Sequence, residues 1–228
     1  MKNLLLRLYT FGYLSKEKAN YYQVIARKTE WNAIKSFISK NSKFLDVGCG
    51  SGYSMKMAKE SCNCEIFGID PSPMEHGVGR NGSKFEVGIE KIFEAVSEQI
   101  PFGDKTFDVV YSSHVLEHVQ NENKSLQEMK RVLKSNGILI LGVPTATMAH
   151  INWFTQLLFT THIKITAVLL HKIFNTGKYK WWEIFVPVSH SFPNKSLLYD
   201  INHYKVKNWS KIISKEFKIT NVILPALY

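Results

Sequence analysis

A glycine-rich turn directly after an apolar strand constrains this chain more than any other feature. Phe44-Leu45-Asp46-Val47 has the pattern of a buried strand, and Gly48-Cys49-Gly50-Ser51-Gly52 follows it and opens a helical pattern. Glycines permit a sharp turn and let a ligand approach the backbone closely. The segment therefore predicts a strand–loop–helix unit of the kind that binds nucleotides.

A carboxylate beyond the loop strengthens this interpretation. Asp70 stands twenty residues after Gly50 and ends the next apolar run, where a carboxylate can accept both hydroxyls of a ribose. Tyr53 occupies the place where a dinucleotide fingerprint has glycine or alanine, and the chain has no Gly-Lys-Ser/Thr phosphate loop. Both observations argue against a pyrophosphate site. A tight turn without a ligand is the weaker alternative.

Strand and helix patterns alternate through the middle of the chain. Apolar runs at 65–70, 107–111 and 138–143 predict further strands, and Leu126, Met129, Val132 and Leu133 mark one face of a helix. Asn136-Gly137 predicts a left-handed end to that helix. Strands that are apolar throughout indicate an α/β fold with a mostly parallel sheet covered by helices on both faces.

The two ends of the chain have different patterns. Residues 1–42 show helical spacing of apolar side chains, residues 151–174 form a broken amphipathic pattern, and Ile219 to Leu224 is predicted to be a closing strand. A length of 228 residues favours one domain. We expect N-terminal helices at 1–42, a ligand-binding core at 43–145, and a cap with the closing strands at 146–228.

Charge divides along the same boundaries. The net charge is +10, but residues 1–43 and 151–228 each carry +7, whereas residues 44–150 carry −4. The excess therefore belongs to the flanks and does not by itself indicate nucleic acid. Three cysteines without framework spacing predict a reduced, cytoplasmic setting. No apolar run reaches the roughly 18 residues of a membrane span.

The middle of the sequence resembles the class I S-adenosylmethionine-dependent methyltransferases over about residues 44–143. The resemblance implies a Rossmann-like methyltransferase fold with a seven-stranded sheet, and S-adenosylmethionine as cofactor with S-adenosylhomocysteine as product. It is carried by Phe44-Leu45-Asp46-Val47-Gly48-Cys49-Gly50-Ser51-Gly52, Gly68-Ile69-Asp70-Pro71-Ser72, Ile100-Pro101-Phe102, Phe107-Asp108-Val109-Val110, Ser113-His114-Val115-Leu116-Glu117-His118-Val119, Arg131-Val132-Leu133-Lys134 and the strand at 138–143.

The resemblance also implies roles by position. Asp46 and the glycine loop (Gly48, Cys49, Gly50, Gly52) would hold the methionine part of the cofactor. Asp70, with Pro71 after it, would bind the ribose. Ser113 and His114, just past a strand, would lie near the amino-acid end and the transferring methyl group.

The adenine contact has two candidate registers. Val96 and Ser97 precede Ile100-Pro101-Phe102, where the family usually has an acidic residue beside a small one, and Val96 departs from that pattern. The alternative register uses Ile89-Glu90. We prefer the later one because the span from Asp70 to Pro101 is then of ordinary length.

One part of this sequence also matches a metal-binding pattern. His114-Val115-Leu116-Glu117-His118 has the H-x-x-E-H pattern of inverted zinc peptidases, and two histidines four residues apart share one face of a helix. A zinc hydrolase needs a third ligand. Because the pattern also fits the methyltransferase register, we assign no metal, and keep the hydrolase as the alternative from another class.

The substrate side is less defined by the sequence. A general base for a hydroxyl or amine acceptor would come from His114, His203 or Tyr204. We expect a small-molecule, sugar or lipid-linked acceptor, with RNA as the alternative. The basic, aromatic-rich flanks, with Trp181-Trp182 among them, suggest peripheral membrane contact, while a packed helical cap is the plainer interpretation. The oligomeric state is open.

Overall fold

The computed structural model describes residues 16–73, 87–151, 154 and 197–224. Two units divide the chain. The larger comprises Asn20–Val143 with Lys207–Tyr228, and the smaller comprises Met1–Ala19 with Pro144–Val206. The predicted arrangement as a single domain stays a prediction.

A parallel sheet forms the centre of the larger unit. Its strand order is β3-β2-β1-β4-β5, and every pairing is parallel. The strands are β1 (Lys43–Val47), β2 (Glu65–Asp70), β3 (Ile92–Glu94), β4 (Phe107–Ser113) and β5 (Leu133–Gly142). The predicted Rossmann-like α/β fold is confirmed, with five strands in the described residues where the sequence analysis expects seven. Since the strands run in one direction, the loops after β1, β2, β3 and β4 lie at one edge of the sheet.

Helices precede, connect and follow the strands. They are α1 (Lys16–Ile34), α2 (Tyr53–Cys62), α3 (Glu122–Val132) and α4 (Val206–Ile213), with short 3-10 turns at Lys35–Phe37, Ile89–Lys91 and Leu116–His118. The side chain of Asn121 starts α3 by accepting a hydrogen bond from the backbone amide of Lys124 at 3.0 Å. Asn63 ends α2 in the left-handed conformation.

An aromatic cluster joins α1 to one face of the sheet. Trp31 is buried and meets Phe44 of β1 and Tyr111 of β4 edge-on, at centroid distances of 6.2 and 6.3 Å. Its indole nitrogen donates a hydrogen bond to Ser61 Oγ on α2 at 3.1 Å. Burying the large indole ring while satisfying its polar nitrogen gives α1 a defined position over β1 and β4.

The junction between α3 and β5 differs from the prediction. The helix ends at Val132, and Leu133 is already extended, so Asn136-Gly137 is not the left-handed helix end that we expect from sequence. Instead, β4 pairs first with Leu133 and then with Ile138, with a shift of register between them. A bulge absorbs the residues between these two pairs. A Cβ at Gly137 would lie 2.9 Å from the backbone oxygen of Asp108, so the close approach of two strands explains this glycine.

The predicted closing strand is also wrong. Residues 217–224 have no regular structure, and Val222 and Leu224 are 61% and 68% exposed. Apolar and β-branched residues form a strand only where a neighbouring edge supplies hydrogen bonds and packing. Within the described residues, none of the sheet pairings includes this segment.

The smaller unit is described only in part. Residues 146–151 are helical, and a second helix runs over Leu197–His203. The backbone amide of Ala146 donates to the carbonyl of Tyr204 at 3.0 Å, and Tyr204 and Asp200 are buried. Most of the amphipathic segment at 151–174, and all of Trp181-Trp182, lie outside the described residues, as do residues 1–15. Among the helices of the described residues, none has the length and apolar character needed to cross a membrane.

Candidate functional site

The loop after β1 turns by means of three left-handed glycines. Gly48, Gly50 and Gly52 have φ of 80°, 54° and 86°, a region that other residues adopt at a cost. The amides of Gly48 and Cys49 both donate to the carbonyl of Ile69 at the end of β2, at 2.8 and 3.0 Å. The loop is therefore attached to the neighbouring strand and leads directly into α2.

Asp70 completes the loop from the adjacent strand. Its side chain is buried, Oδ2 accepts the amide of Gly50 at 2.9 Å, and Oδ1 accepts the amide of Ser72 at 2.9 Å. A carboxylate oxygen has capacity for a further hydrogen bond beyond these. Asp70 can thus hold the loop and still receive hydroxyl groups of a ligand, and Pro71 follows it at the surface.

The segment after β3 lies beside Asp70. β3 ends at Glu94, which is paired with Asp70, and the amide of Ala95 donates to the carbonyl of Asp70 at 3.2 Å. Val96 and Ser97 come next; Val96 is 46% exposed, whereas Ser97 is buried and its hydroxyl is hydrogen-bonded to Ser125 Oγ at 2.8 Å. This position at the edge of the sheet supports the preferred adenine register, since Ile89–Lys91 precedes β3.

The end of β4 brings Ser113 and His114 to the same edge. His114 has φ of 57°, and its amide donates to the carbonyl of Gly142 on β5 at 2.8 Å. A left-handed backbone at a non-glycine residue is uncommon and often marks functional sites. Val115 comes next, and its side chain fills the space where a Cβ at Gly48 would stand.

Two charged residues of α1 reach this edge, and neither is among the residues predicted from sequence. Arg27 Nη1 donates to Ser113 Oγ at 2.5 Å and to Glu30 Oε2 at 2.8 Å. Glu30 Oε1 lies 3.3 Å from His114 Nε2, and Ser113 Oγ lies 3.4 Å from Glu30 Oε2. α1 is thereby tied to the end of β4 by a network of four side chains.

Glu117 approaches the other nitrogen of the same imidazole ring. The side chain of Glu117 is fully buried, and its Oε1 lies 3.3 Å from His114 Nδ1. Neither carboxylate oxygen has a well-aligned hydrogen bond within the described part of the chain, and the contact with His114 is an ion pair when the ring is protonated. Burial alone would lower the pKa of His114, but the Glu117 and Glu30 carboxylates outweigh it and raise the pKa to about 9.

The carboxyl group of Asp46 lies where its ionised form is disfavoured. Asp46 is the next-to-last residue of β1, followed by Val47 and the glycine loop, and is 3% exposed. Burial raises the pKa of Asp46 to about 7, Arg27 opposes this rise, and Asp70 adds to it. A buried carboxylate of this kind is suited to a cationic ligand, because a nearby positive charge would stabilise its ionised form.

The His-x-x-Glu-His segment does not have the geometry expected for a zinc site. Only Leu116–His118 is helical, as a 3-10 turn, and His114 precedes it in the left-handed conformation. The two histidines therefore do not share one face of an α-helix, which was the premise of the zinc interpretation. No metal-binding group of three ligands occurs within residues 16–73, 87–151 and 197–224.

The other two predicted catalytic residues belong to the smaller unit. His203 ends the helix Leu197–His203, and its ring stacks on Tyr199 with centroids 4.8 Å apart. Tyr204 is 1% exposed.

Comparison with known proteins identifies the larger part of this architecture. Residues 45–141 match a family described as a methyltransferase domain. Over 133 residues the chain is 28% identical to the putative methyltransferase YrhH of Bacillus subtilis, a stretch that covers 58% of this chain and 74% of that protein.

Two further relatives share only the domain. The sterol 4-C-methyltransferase strm-1 of Caenorhabditis elegans is 35% identical over 48% of this chain and 33% of its own length. The tRNA U34 carboxymethyltransferase of Nautilia profundicola is 37% identical over 49% of this chain and 38% of its own length. The chain thus spans little more than a third of these two proteins, and their acceptors differ from one another. Residues 45–141 thus carry a methyltransferase domain, and its glycine loop with the carboxylate after β2 supports class I S-adenosylmethionine-dependent chemistry, with S-adenosylmethionine as the cofactor.

Proposed function

We propose that this chain transfers the methyl group of S-adenosylmethionine to a small-molecule acceptor, with sugars and lipid-linked molecules included in that class. The charges near the ends of β1, β2 and β4 are the observation that supports this proposal. They comprise four carboxylates and two cations: Glu30, Asp46, Asp70 and Glu117, with Arg27 and His114. An excess of carboxylates suits a cationic donor and disfavours a polyanionic acceptor at the point of transfer.

The residues at the sheet edge fit the cofactor. We assign the methionine part to Asp46 and the glycine loop, the ribose to Asp70, and the adenine to the segment of Val96 and Ser97. Asp46 supplies the test of fit, because its buried carboxylate is destabilised in its charged form and an ammonium group would offset that cost. When bound, S-adenosylmethionine supplies a methyl group on a sulfonium, already activated for in-line displacement. The glycine loop contributes Gly48, Cys49, Gly50 and Gly52. Pro71, Ser113 and His114 complete the residues that we assign to cofactor binding.

Asp46→Asn is expected to stabilise the ligand-free protein above neutral pH and to weaken cofactor binding. In the unfolded chain this carboxyl loses its proton near pH 4, whereas in the folded chain it does so near pH 7. Stability is therefore lost as the pH rises from about 4 to 7, and the variant escapes that loss. We expect a gain on the order of 1 to 3 kcal/mol at pH 8 and almost none at pH 4.

Urea unfolding at both pH values, with calorimetric titration of S-adenosylhomocysteine, measures the two effects. Asp104→Asn is the matched control, because Asp104 is an exposed carboxylate on the loop before β4. A variant that is no more stable than wild type at pH 8 would show that the buried charge is compensated.

Alignment of acceptor and methyl group is the main task left to the protein. We propose that His114 stands at the point of transfer, and that His203 and Tyr204 belong to the acceptor side. His114 is supported by its position after β4. The assignment of His203 and Tyr204 is supported only by their position in the smaller unit.

RNA is the second candidate acceptor. Relatives named as tRNA carboxymethyltransferases favour it, as do Lys207, Lys211 and Lys215, which are exposed at four-residue spacing on and just after α4.

These lysines also suit an anionic membrane surface, which with exposed Val222 and Leu224 supports peripheral membrane contact. The three free, buried cysteines support a cytoplasmic setting.

Methyl-labelled S-adenosylmethionine distinguishes these acceptors. Enzyme and labelled cofactor are incubated with a native extract, which is then separated into polar metabolites, lipids and RNA. We expect the label in the polar or lipid fraction, and mass spectrometry would identify the product. Label confined to RNA, and lost when the extract is treated with ribonuclease first, would overturn the small-molecule proposal. Asp70→Ala enzyme controls for labelling that does not depend on the cofactor site.

A further inference from the structure

The imidazole ring of His114 lies between two carboxylates that come from opposite directions. Glu30 on α1 approaches Nε2 and Glu117 approaches Nδ1, each at 3.3 Å. The His114 side chain is 15% exposed, Glu30 is 13% exposed and Glu117 is fully buried. A ring with a carboxylate at each nitrogen can satisfy both only when both nitrogens carry a proton.

Glu30 does more than pair with the ring. The same carboxylate accepts from Arg27 at 2.8 Å, and Arg27 in turn donates to Ser113, the residue before His114. The hydrogen bond to Glu30 therefore fixes the orientation in which Arg27 reaches Ser113 at the end of β4. Because the ring of His114 also depends on Glu30, one side chain of α1 sets the positions of both cations.

We propose that Glu30 is a positioning residue of the methyl-transfer site, which together with Glu117 keeps His114 a cation and fixes its ring beside Ser113. The inference rests on the proposed place of His114 at the point of transfer. It changes the role expected from the sequence, since a histidine that already carries both protons donates hydrogen bonds and does not accept the proton of the acceptor. His114 then orients the acceptor and balances the carboxylates around it.

The charged groups around the ring determine the direction of the effect. Glu30 and Glu117 favour the imidazolium form, whereas burial and the nearby Arg27 disfavour it, and the sum raises the pKa of His114 to about 9. Asp46 and Tyr111 lie on the strands beneath; burial raises the pKa of each, and the charge of Arg27 opposes that rise. Removing the Glu30 charge takes away one of the two carboxylates that oppose burial and Arg27, and leaves that of Glu117.

Titration of His114 by nuclear magnetic resonance tests the proposal without any methyl transfer. The ring signal is assigned by its loss in His114→Asn and followed from pH 6 to 10.5 in wild type and in Glu30→Gln. We expect the midpoint to fall by about one pH unit or more, a tenfold loss of proton affinity. Glu60→Gln, an exposed glutamate on α2, should leave it unchanged. A midpoint in Glu30→Gln equal to that of wild type would overturn the proposal.

Two further variants separate charge from shape. Glu30→Asp keeps the charge and shortens the side chain, so it should retain more of the high midpoint than Glu30→Gln; equal values for the two would contradict a role through charge. Glu117→Gln acts on the other nitrogen and should lower the midpoint in the same direction, which keeps the test decisive should Glu30→Gln fail to fold. Once an acceptor is known, the alkaline limb of the kcat profile should move with the midpoint, while KM for the cofactor should change less.

Discussion

Asp70→Ala is expected to weaken the binding of S-adenosylhomocysteine by about 100-fold or more. Asp70 accepts the amides of Gly50 and Ser72 at 2.9 Å each, so its loss frees the glycine loop as well as the proposed ribose contact. Each charge-assisted hydrogen bond contributes about 1.5–3 kcal/mol. Loss of the two bonds proposed from the ribose hydroxyls to Asp70 therefore corresponds to at least two decades in the dissociation constant. Isothermal titration calorimetry with the product measures this directly.

Asp104→Ala is the matched control for that titration. Asp70 is the last residue of β2, whereas Asp104 lies in the loop before β4, at the opposite edge of the sheet, and its side chain is 72% exposed. Its removal should change the affinity by less than about twofold. A loss of less than about fivefold in Asp70→Ala would mean that the ribose is held elsewhere and that the assignment of Asp70 is wrong.

Gly48→Ala is expected to lower the free energy of unfolding by about 2–4 kcal/mol. The left-handed backbone at Gly48, with φ of 80°, costs an alanine about 1–2 kcal/mol. The new methyl group would also overlap Val115 Cγ2, and forced overpacking typically costs about 1–3 kcal/mol. Urea unfolding followed by circular dichroism gives the difference.

Two companion variants divide this effect into its causes. Gly103→Ala adds the same methyl group where the closest contact is Thr106 Oγ1 at 3.7 Å and φ lies outside the left-handed region, so it should be nearly neutral. Val115→Ala placed in the Gly48→Ala background removes the overlap but not the backbone strain, and should recover about half of the loss. Equal stability of Gly48→Ala and Gly103→Ala would show that the loop relaxes without cost.

The features that were predictable from sequence are those with a local signal. The glycines at 48, 50 and 52 follow β1 at once, and Asp70 ends the next strand, so their spacing alone predicts a shared site. Continuous apolar runs also predict β1, β2 and β4 because strands buried on both faces have no alternation. Each of these signals lies within a few residues of the element that it describes.

The features that were missed depend on distant or very short segments. β3 is three residues long, which is too short for a period to appear, and it lies between a 3-10 turn and the segment proposed to hold the adenine. The strand predicted at 219–224 has the right residue types, but strand formation depends on a partner that sequence does not reveal. Asn136-Gly137 has the sequence of a helix end, yet it belongs to a bulge set by the register of β4.

The α1 side of the candidate site was unpredictable for the same reason. Arg27 and Glu30 meet Ser113 and His114 across more than eighty residues of chain. The one local hint was an oppositely charged pair three residues apart, next to Trp31, on the side of a helix that turns out to face the sheet. Such pairs are common on solvated helix surfaces, so the hint has little force without the fold.

The left-handed backbone of His114, with φ of 57°, has a consequence for which side chains position 114 can accept. Glycine and asparagine adopt this conformation readily, whereas β-branched residues are true outliers there. Which residues can replace His114 therefore depends first on the backbone conformation and only then on side-chain chemistry. His114→Asn removes the ring and keeps the turn, so it is the substitution that separates these two properties, whereas valine would disturb both.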